Sequence, residues 1–496
     1  MAWEILKFKP TAWNVDVSQS SLPDNAVNSL TSMDFFGGVA RSLNRMVSYA
    51  TPSTAPLTIS SYSDDSSTYA GYAGASGTYA WGSTGQINTT PTTGLTGHTY
   101  WDSTAFGKWF VATNGKYPEV PHAISSSSTG TAGKMAPLPG WIANASTNLI
   151  RTHRNLLWAA NLTESGIHYP TRVRWSTSAV TNALPSSWVV TAANDAGMVD
   201  LQFTGGQIVD MCGVGDVMYI GAPGGIWAAR WVGGQYVYNF SQINGLHGPR
   251  AIRCMESMGD AGVVLTVNDL LVFDETSEFS ISTGVVSTLI RQFTKAEILY
   301  VASVRQLYIL YSLSGEDGYQ HCLIWDRDSN TFGQRNLGIT ATASSAMIIP
   351  EQQVPLTWDT YPGIWNDAVN PWQTDQTIYF NYSAANGDGF YFSSNHPTDW
   401  LISRSKMPSV GNDVIRVRSI EPDIDGPSQP VWMRIGASDS LGEPIRWEQE
   451  KQFTVGDTVR NDTIAEGRYI SWQVRGYGPV KLNGITLYYE PRGRKP

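Results

Sequence analysis

The sequence predicts an all-β protein: an irregular β-propeller of five to seven blades, joined to an antiparallel platform sheet or sandwich formed by the chain ends. Three observations predict it. Short runs alternating apolar and polar residues recur, each ended by Gly, Asn, Asp or Ser, which is the pattern of strands and hairpin turns. No stretch of ten residues carries a sustained helical period. The strand pairs repeat at roughly 40 to 60 residues, so each unit is a small sheet unable to bury both faces alone, and packing such sheets radially around a channel meets that need.

Taken in order, residues 1–40 read as an N-terminal arm contributing to the platform, and residues 41–405 as the propeller, with long loops near 60–100 and 350–376. The 60–100 stretch is mostly Ser, Gly, Thr, Ala and Tyr, too poor in branched apolar side chains to predict a core. Lys108–Thr113 reads as a strand, and Asn114-Gly115 after it is the strongest short hairpin signal. Asn155–Ala160, Thr171–Ser176, Asp216–Gly221 with Gly225–Trp231, Gly262–Val267 with Leu270–Asp274, Gln306–Tyr311 with Cys322–Asp326, Thr377–Tyr382 and Gly389–Phe392 continue the series. Trp-Asp pairs stand at Trp101-Asp102, Trp325-Asp326 and Trp358-Asp359, but Gly97-His98 lies too close to the first for a regular WD repeat. From about Lys406 the runs Val414–Ser419, Val431–Ile435, Tyr469–Arg475 and Ile485–Glu490 alternate cleanly, predicting a separate platform sheet over 406–496 with one wet face.

The chain has 496 residues, 33 Lys plus Arg and 42 Asp plus Glu, for a net charge of −9. That balance excludes a surface built to grip phosphate backbones throughout. Charged residues are only 15%, whereas Gly (47), Tyr (23) and Trp (19) are abundant, a composition suited to turns and strands rather than to a helical bundle. Cys212, Cys254 and Cys322 are odd in number and widely spaced, which predicts buried reduced thiols and excludes a disulfide framework. No apolar segment has the length of a membrane span, and the first ten residues lack the apolar core of a signal peptide, so a soluble protein made in a cytoplasm is expected.

The motifs of common chemistries are missing. No phosphate-cradling glycine motif and no Gly-x-Ser-x-Gly elbow occurs, and the seven histidines are scattered without a His-x-x-x-His pair. Asp326, Asp328 and Asn330 have the opening spacing of a calcium loop, but the sixth position is Thr331 and the twelfth Leu337, so a polar hairpin turn is expected there. Asp274, Glu275 and Glu278 form an acidic cluster that reads as solvated turn charge rather than as a glycosidase pair. No cofactor or metal is expected.

One stretch stands out for partner contacts. Residues 336–403 contain no Lys or Arg but carry Glu351, Asp359, Asp367, Asp375, Asp388 and Asp399. Within it Trp358, Trp365 and Trp372 recur every seven residues, yet Pro355, Pro362 and Pro371 exclude a helical stripe, leaving a cover for the propeller or a set of aromatic anchors for another chain.

The order of the runs Phe106–Gly115, Arg154–Ala160, Pro170–Ser176, Gly215–Gly221, Leu270–Asp274, Leu323–Asp326 and Thr331–Gly333 resembles the tail nozzle, or tail hub, proteins of short-tailed bacteriophages. The ends are similar too: Phe8–Pro10 leading to Asp34–Arg41, and Gly467–Trp472 through Leu482–Ile485 to Pro491–Arg494. The resemblance covers most of the chain apart from the two long loops. It implies a non-enzymatic virion component, a homohexameric ring below the head-to-tail adaptor through which DNA passes without specific binding, with tail fibre, spike or tail-tip proteins as further partners and no stable membrane insertion. Arg468, Asn483, Arg492, Arg494 and Lys495 are then the expected subunit or adaptor contacts. Asp359, Asp367, Asp375, Trp358, Trp365 and Trp372 are the expected lumen or partner-loop residues. From the residues alone, a carbohydrate-binding or glycan-degrading propeller is the alternative, because Trp and Tyr abundance suits stacking on sugars.

Overall fold

A computed structural model describes residues 4–493 apart from 14–24, 37–38, 44–45, 51, 65–66, 83–84, 93–94, 203–205, 234–236, 245–246, 275–276, 283–284, 303, 344–345, 350–376, 381–388, 393–398, 410–412 and 457–459. The chain is all-β: besides two short helices, Ser126–Gly130 and Val285–Ile290, the regular structure among the described residues is strand.

Five antiparallel four-stranded sheets follow one another along the chain. The first comprises Pro56–Ser63, Thr68–Gly74, Gly77–Gly82 and Gly85–Asn88, and the second Asp102–Phe106, Trp109–Thr113, His122–Ser125 and Ala136–Pro137. The third comprises Ala145–His153, Leu156–Glu164, Ile167–Trp175 and Gly197–Asp200, and the fourth Asp210–Val214, Val217–Ala222, Gly225–Trp231 and Tyr238–Asn244. Met255–Ser257, Gly262–Leu265, Leu270–Phe273 and Glu278–Ser280 form the fifth. A sixth meander, Lys295–Val301, Gln306–Ser312, Tyr319–Asp326 and Thr331–Ala341, runs on through its last strand into a ten-stranded sheet.

The first strand of each sheet lies against the first strand of the next, from Pro56–Ser63 through to Lys295–Val301. Ala346–Ile349 then touches both Lys295–Val301 and Pro56–Ser63, so the succession of contacts returns to its start. Ala346–Ile349 pairs with Thr377–Phe380, which lies beside Gly389–Phe392, and that strand pairs with Met46–Ala50 from ahead of the first sheet.

Each junction between neighbouring sheets holds its own small core. Between the third and fourth sheets Tyr238 packs edge to face on both Trp158 and Trp175, with the Trp158 and Tyr238 rings 4.7 Å apart, a geometry favoured by the ring quadrupoles. Cys254 joins the core between the fifth and sixth sheets, and all three cysteines are free and buried.

Two local expectations are corrected. Residues 60–100, expected as a long surface loop, hold most of the first sheet, whose core is aromatic: Tyr72 stacks on Tyr79 at 5.2 Å and packs against Trp81 at 4.8 Å, while Tyr62 lies against Phe110 of the second sheet. Small residues make this possible, since a Cβ at Gly71 would stand 2.5 Å from the Phe110 ring. The tight hairpin of the second sheet is at Gly107-Lys108, where Phe106 pairs with Trp109 and Gly107 takes φ +55, and not at Asn114-Gly115. The Asn114 side chain instead accepts from the Lys116 amide at 3.0 Å and donates to Glu119, which opens a wider connection.

Past the sixth sheet, Thr331–Ala341 pairs with Met33–Phe36, and the chain ends meet. Met33–Phe36 pairs with Val39–Ser42, which pairs with Lys481–Gly493, and the opening strand Glu4–Phe8 runs antiparallel to the same closing strand, Glu4 opposite Tyr489 and Phe8 opposite Ile485. Val414–Asp425 and Asn461–Gly467 complete this sheet. A six-stranded sheet, Arg446–Trp447, Pro430–Ser438, Tyr469–Tyr477, Asp399–Pro408 and Ser29–Thr31 with Lys451–Thr454 beside Pro430–Ser438, packs on it around one core that includes Phe8, Trp400, Trp472, Ile435 and Leu487. The strands expected to form a single wet-faced sheet are instead divided between the two layers: Val414–Asp425 and Lys481–Gly493 lie in the ten-stranded sheet, and Pro430–Ser438 and Tyr469–Tyr477 in the six-stranded one, so each covers the other's apolar face.

Asp34 ties this unit to the sixth sheet. Fully buried, it takes a fork from Arg41 (2.7 and 2.9 Å) and a bond from Gln306 (3.2 Å), which also holds Asp326. The strands approach so closely that a Cβ at Gly333 would lie 2.8 Å from Asp34 Cα and the Met33 carbonyl oxygen. Gly333→Ala should therefore force backbone apart and lower stability by about 1–3 kcal/mol, read from the urea midpoint; an unchanged midpoint would show that this junction yields freely.

Candidate functional site

The first strands of the sheets carry, besides apolar residues, a set of charges that converge where those strands face one another. Asp102 opens the first strand of the second sheet and Asp210 that of the fourth; both are fully buried. Asp102 accepts the Ile150 amide of the third sheet at 2.9 Å, and Asp210 accepts the Met255 amide of the fifth at 2.9 Å. Each carboxylate thus satisfies an amide on the first strand of the following sheet, an edge otherwise left without a ladder partner.

Arg151, on the intervening first strand, joins them. Its Nη1 reaches both Asp102 oxygens at 2.8 and 2.7 Å, its Nη2 reaches Asp210 at 2.7 Å, and its Nε donates to the Met211 carbonyl at 3.2 Å. Burial works against the guanidinium charge, but the two carboxylates more than offset it and hold the Arg151 pKa above its ordinary value. Burial likewise pushes Asp210 up, opposed by Arg151 and by the amides of Met255 and Met211.

A second guanidinium crosses the same space. Arg253, just ahead of the fifth sheet, contacts Glu297 of the sixth at 3.5 Å and donates to Thr58 of the first, whose hydroxyl bonds Ser103 of the second at 2.6 Å. Beside these groups lies a well of about 330 Å³ whose lining includes Ser60, Ser103, Arg151, Arg253, Glu256 and Glu297. Burial, and then the charge of Asp210, raise the Glu256 carboxyl to about 8. Burial also raises the Cys212 thiol, so no activated thiolate faces the well. Among the described residues no three metal-ligating side chains come together, and no helix is long and apolar enough to cross a membrane.

Those of the residues singled out in the sequence that are described lie elsewhere. Arg468 sits at the corner between the two platform sheets, its amide donating to the Ser438 carbonyl at 3.1 Å and its carbonyl accepting from Ser409 at 2.9 Å. Asn483 bonds Asp425 at 2.9 Å, and the exposed Arg492 lies 3.5 Å from Glu490. Arg494, Lys495, Asp359, Asp367, Asp375, Trp358, Trp365 and Trp372 fall outside the described residues. Asp326 accepts the Ser329 amide at 2.9 Å, a polar turn, and Glu278 pairs with His247 at 2.7 Å. The convergent set Asp102, Arg151, Asp210, Arg253, Glu256 and Glu297 was not singled out. Its one sequence trace is the Trp101-Asp102 pair.

No protein-family profile matches the chain, and no curated protein matches it. Among solved structures it is similar, at a TM-score of 0.43 and 9% identity, to a B. thetaiotaomicron protein described as the extracellular domain of a hybrid two component system. The similarity covers 90% of this chain and 63% of that one.

Arg151→Met would leave Asp102 and Asp210 buried without a counter-charge and should lower stability by about 3–5 kcal/mol in urea denaturation; a loss below about 1 kcal/mol, the scale of an exposed pair, would mark the fork as dispensable. Glu256 gives a pH signature. Its folded pKa lies above the ordinary carboxyl value, so the folded chain holds a proton that the unfolded chain releases, and this contribution is complete below the ordinary value and lost as pH rises through about 8. Stability should fall between pH 5 and 8 by up to about 1.4 kcal/mol per pH unit, and Glu256→Gln should flatten that slope; the same slope in both proteins would assign it to other groups.

Proposed function

We propose that this chain is a structural virion protein, the nozzle or hub of a short phage tail, and that its cyclic run of sheets is an irregular β-propeller of seven blades. The observation that carries the reading is the pairing of two features: a run of small sheets whose first strands meet in a closed series, and a second, layered unit in which the opening strand Glu4–Phe8 lies against the closing strand Lys481–Gly493. That is the arrangement which the resemblance in the order of the strand runs and in the chain ends leads one to expect, a propeller with a platform built from the termini.

The charges support it. The Arg151 fork crosses the space between the first strands and the well beside it holds only about 330 Å³, so a DNA duplex has no passage through one chain, and a conduit requires several copies around a common axis, six in this reading. DNA moving through such a conduit must not be held, because every neutralised phosphate adds favourable counterion release. The composition of residues 336–403, with no Lys or Arg and with Asp359, Asp367 and Asp375 among its acidic residues, suits such a wall, and the residues Trp358, Trp365 and Trp372 suit contacts with fibre, spike or tail-tip proteins. Arg492, Arg494 and Lys495 then reach a neighbouring subunit or the head-to-tail adaptor, with Arg468 and Asn483 nearer the platform contacts.

Electron microscopy of the purified chain with and without adaptor tests the assembly. A sixfold ring with an open channel is expected; a compact monomer that cleaves surface polysaccharide would replace this reading with the glycan-degrading one. Replacing Arg492, Arg494 and Lys495 together by Gln, which leaves the closing strand intact, should abolish incorporation into the ring while leaving the thermal midpoint of the free chain unchanged, and rings that form normally with the three replaced would remove the basic tail from the interface.

A further inference from the structure

The first hairpins of the third and fourth sheets meet at their tips. Ala145–His153 turns at Arg154-Asn155, with His153 opposite Leu156, and Asp210–Val214 turns at Gly215-Asp216, with Val214 opposite Val217. Across the gap Arg154 pairs with Asp216 at 3.4 Å, but the Asp216 side chain is exposed, and such a pair adds little. The second link is buried. The His153 ring is 5% exposed and lies on Gly213, where a Cβ would stand 2.4 Å from its Cδ2. Its Nε2 faces the Gly215 carbonyl at 3.2 Å. A carbonyl only accepts, so the proton of the neutral ring sits on Nε2 and Nδ1 carries the lone pair. Nδ1 is buried and has no hydrogen-bond partner among the described residues.

This seat suits only the neutral ring. His98, His247 and His321 stand beside the carboxylates of Glu119, Glu278 and Glu316, at 3.0, 2.7 and 2.9 Å, and there a positive charge is favoured. A proton added to His153 goes to Nδ1, where no acceptor waits, and the charged ring is then left desolvated. The charged groups acting on it are Arg154 on its own turn, which opposes a second positive charge, and Asp216 on the facing turn, which favours one but is exposed and shared with Arg154. Burial outweighs both and holds the imidazole below its ordinary pKa.

We propose that His153 is an acid-sensitive latch between the third and fourth sheets: neutral, it ties the two hairpin tips together, and once protonated at Nδ1 it leaves Gly213 for solvent, gives up the Gly215 carbonyl and lets the tips part. Arg151 stands two residues earlier on the same strand and donates to the Met211 carbonyl, so the fork holds the middle of this junction and His153 its end. The latch does not depend on the assembly proposed above. The closed form binds fewer protons than the open form, so the latch is complete above the ordinary histidine value and is lost as pH falls through the lower value of the closed form. Within that window each pH unit raises the opening constant by up to about tenfold.

Two measurements on the full chain test this. The His153 ring resonance, assigned by its loss in His153→Gln, is followed through a pH titration by NMR; a midpoint below the ordinary histidine value is expected, and one at or above it would overturn the proposal. Opening is read with Ala229→Cys, which places a thiol in the core between the two sheets, in the cross-strand row of Gly213 and Met218. The three native cysteines are buried and set the baseline in the parent chain. Labelling by a dipyridyl disulfide, divided by the rate of a free thiol at the same pH, should rise by up to about tenfold from pH 7.5 to pH 5.5. Adding His153→Gln, whose amide still donates to Gly215 but takes no proton, should remove that rise, and the comparison cancels other groups such as His122, which burial also holds low. The urea midpoints of His153→Gln and the parent chain give the same answer without a new thiol: the variant should gain on the parent as pH falls over this range. An equal rise in labelling with and without His153, or midpoints that fall in parallel, would overturn the proposal.

Discussion

The fork that Arg151 throws between Asp102 and Asp210 is the contact on which the arrangement of the sheets depends. Small four-stranded sheets packed side by side share no strand ladder, so apart from scattered bonds such as Met135 N–H to the Thr89 carbonyl and the Thr113 hydroxyl to the Thr147 carbonyl, the polar links from one to the next are made by side chains on their first strands. Apolar cores such as that of Trp158, Trp175 and Tyr238 drive neighbouring sheets together, but hydrophobic contact is indifferent to small slippage. A buried guanidinium with two buried carboxylates tolerates little, because moving any of the three strands leaves a charge uncompensated. The second, third and fourth sheets are therefore fixed by charge, and the Met255 amide on Asp210 extends the same constraint to the fifth.

At the other end of the chain the constraint is topological. The last strand of the sixth sheet continues into the arm strand Met33–Phe36, and through it into the sheet containing both ends. Asp34, held by Arg41 and Gln306, sits at that seam much as Asp210 sits between sheets. The layered unit cannot be completed until the N-terminal and C-terminal segments have met, since Phe8 and Trp472 pack against each other at 5.0 Å in its core.

Much of the strand pattern was legible in the sequence because alternation and turn residues are local signals. Leu270–Asp274 and Val431–Ile435 coincide with strands for that reason. The first sheet was not legible: its core is made of Tyr and Trp rings lying over Gly and Ala, and a scale that counts branched apolar residues scores such a segment as loop. Asn114-Gly115 misled because a side-chain bond to Glu119, five residues on, redirects the turn. The charged cluster was hidden for a different reason. Asp102 and Asp210 stand 49 and 59 residues from Arg151, and only the order of sheets around their common centre brings them together. Of the residues chosen from the sequence, those described, Arg468, Asn483 and Arg492, lie in the platform and do not line the well.

Residue-resolved hydrogen exchange of the intact chain tests the central claim most directly, because the amides of Ile150 and Met255 have buried carboxylates as their acceptors. If Asp102, Arg151 and Asp210 lock the first strands together, both amides exchange only with global unfolding, as slowly as the paired amides of the central strand Leu156–Glu164. If they exchange as fast as amides in exposed turns, the sheets are held by their apolar cores alone, and the account of a charge-locked centre is wrong.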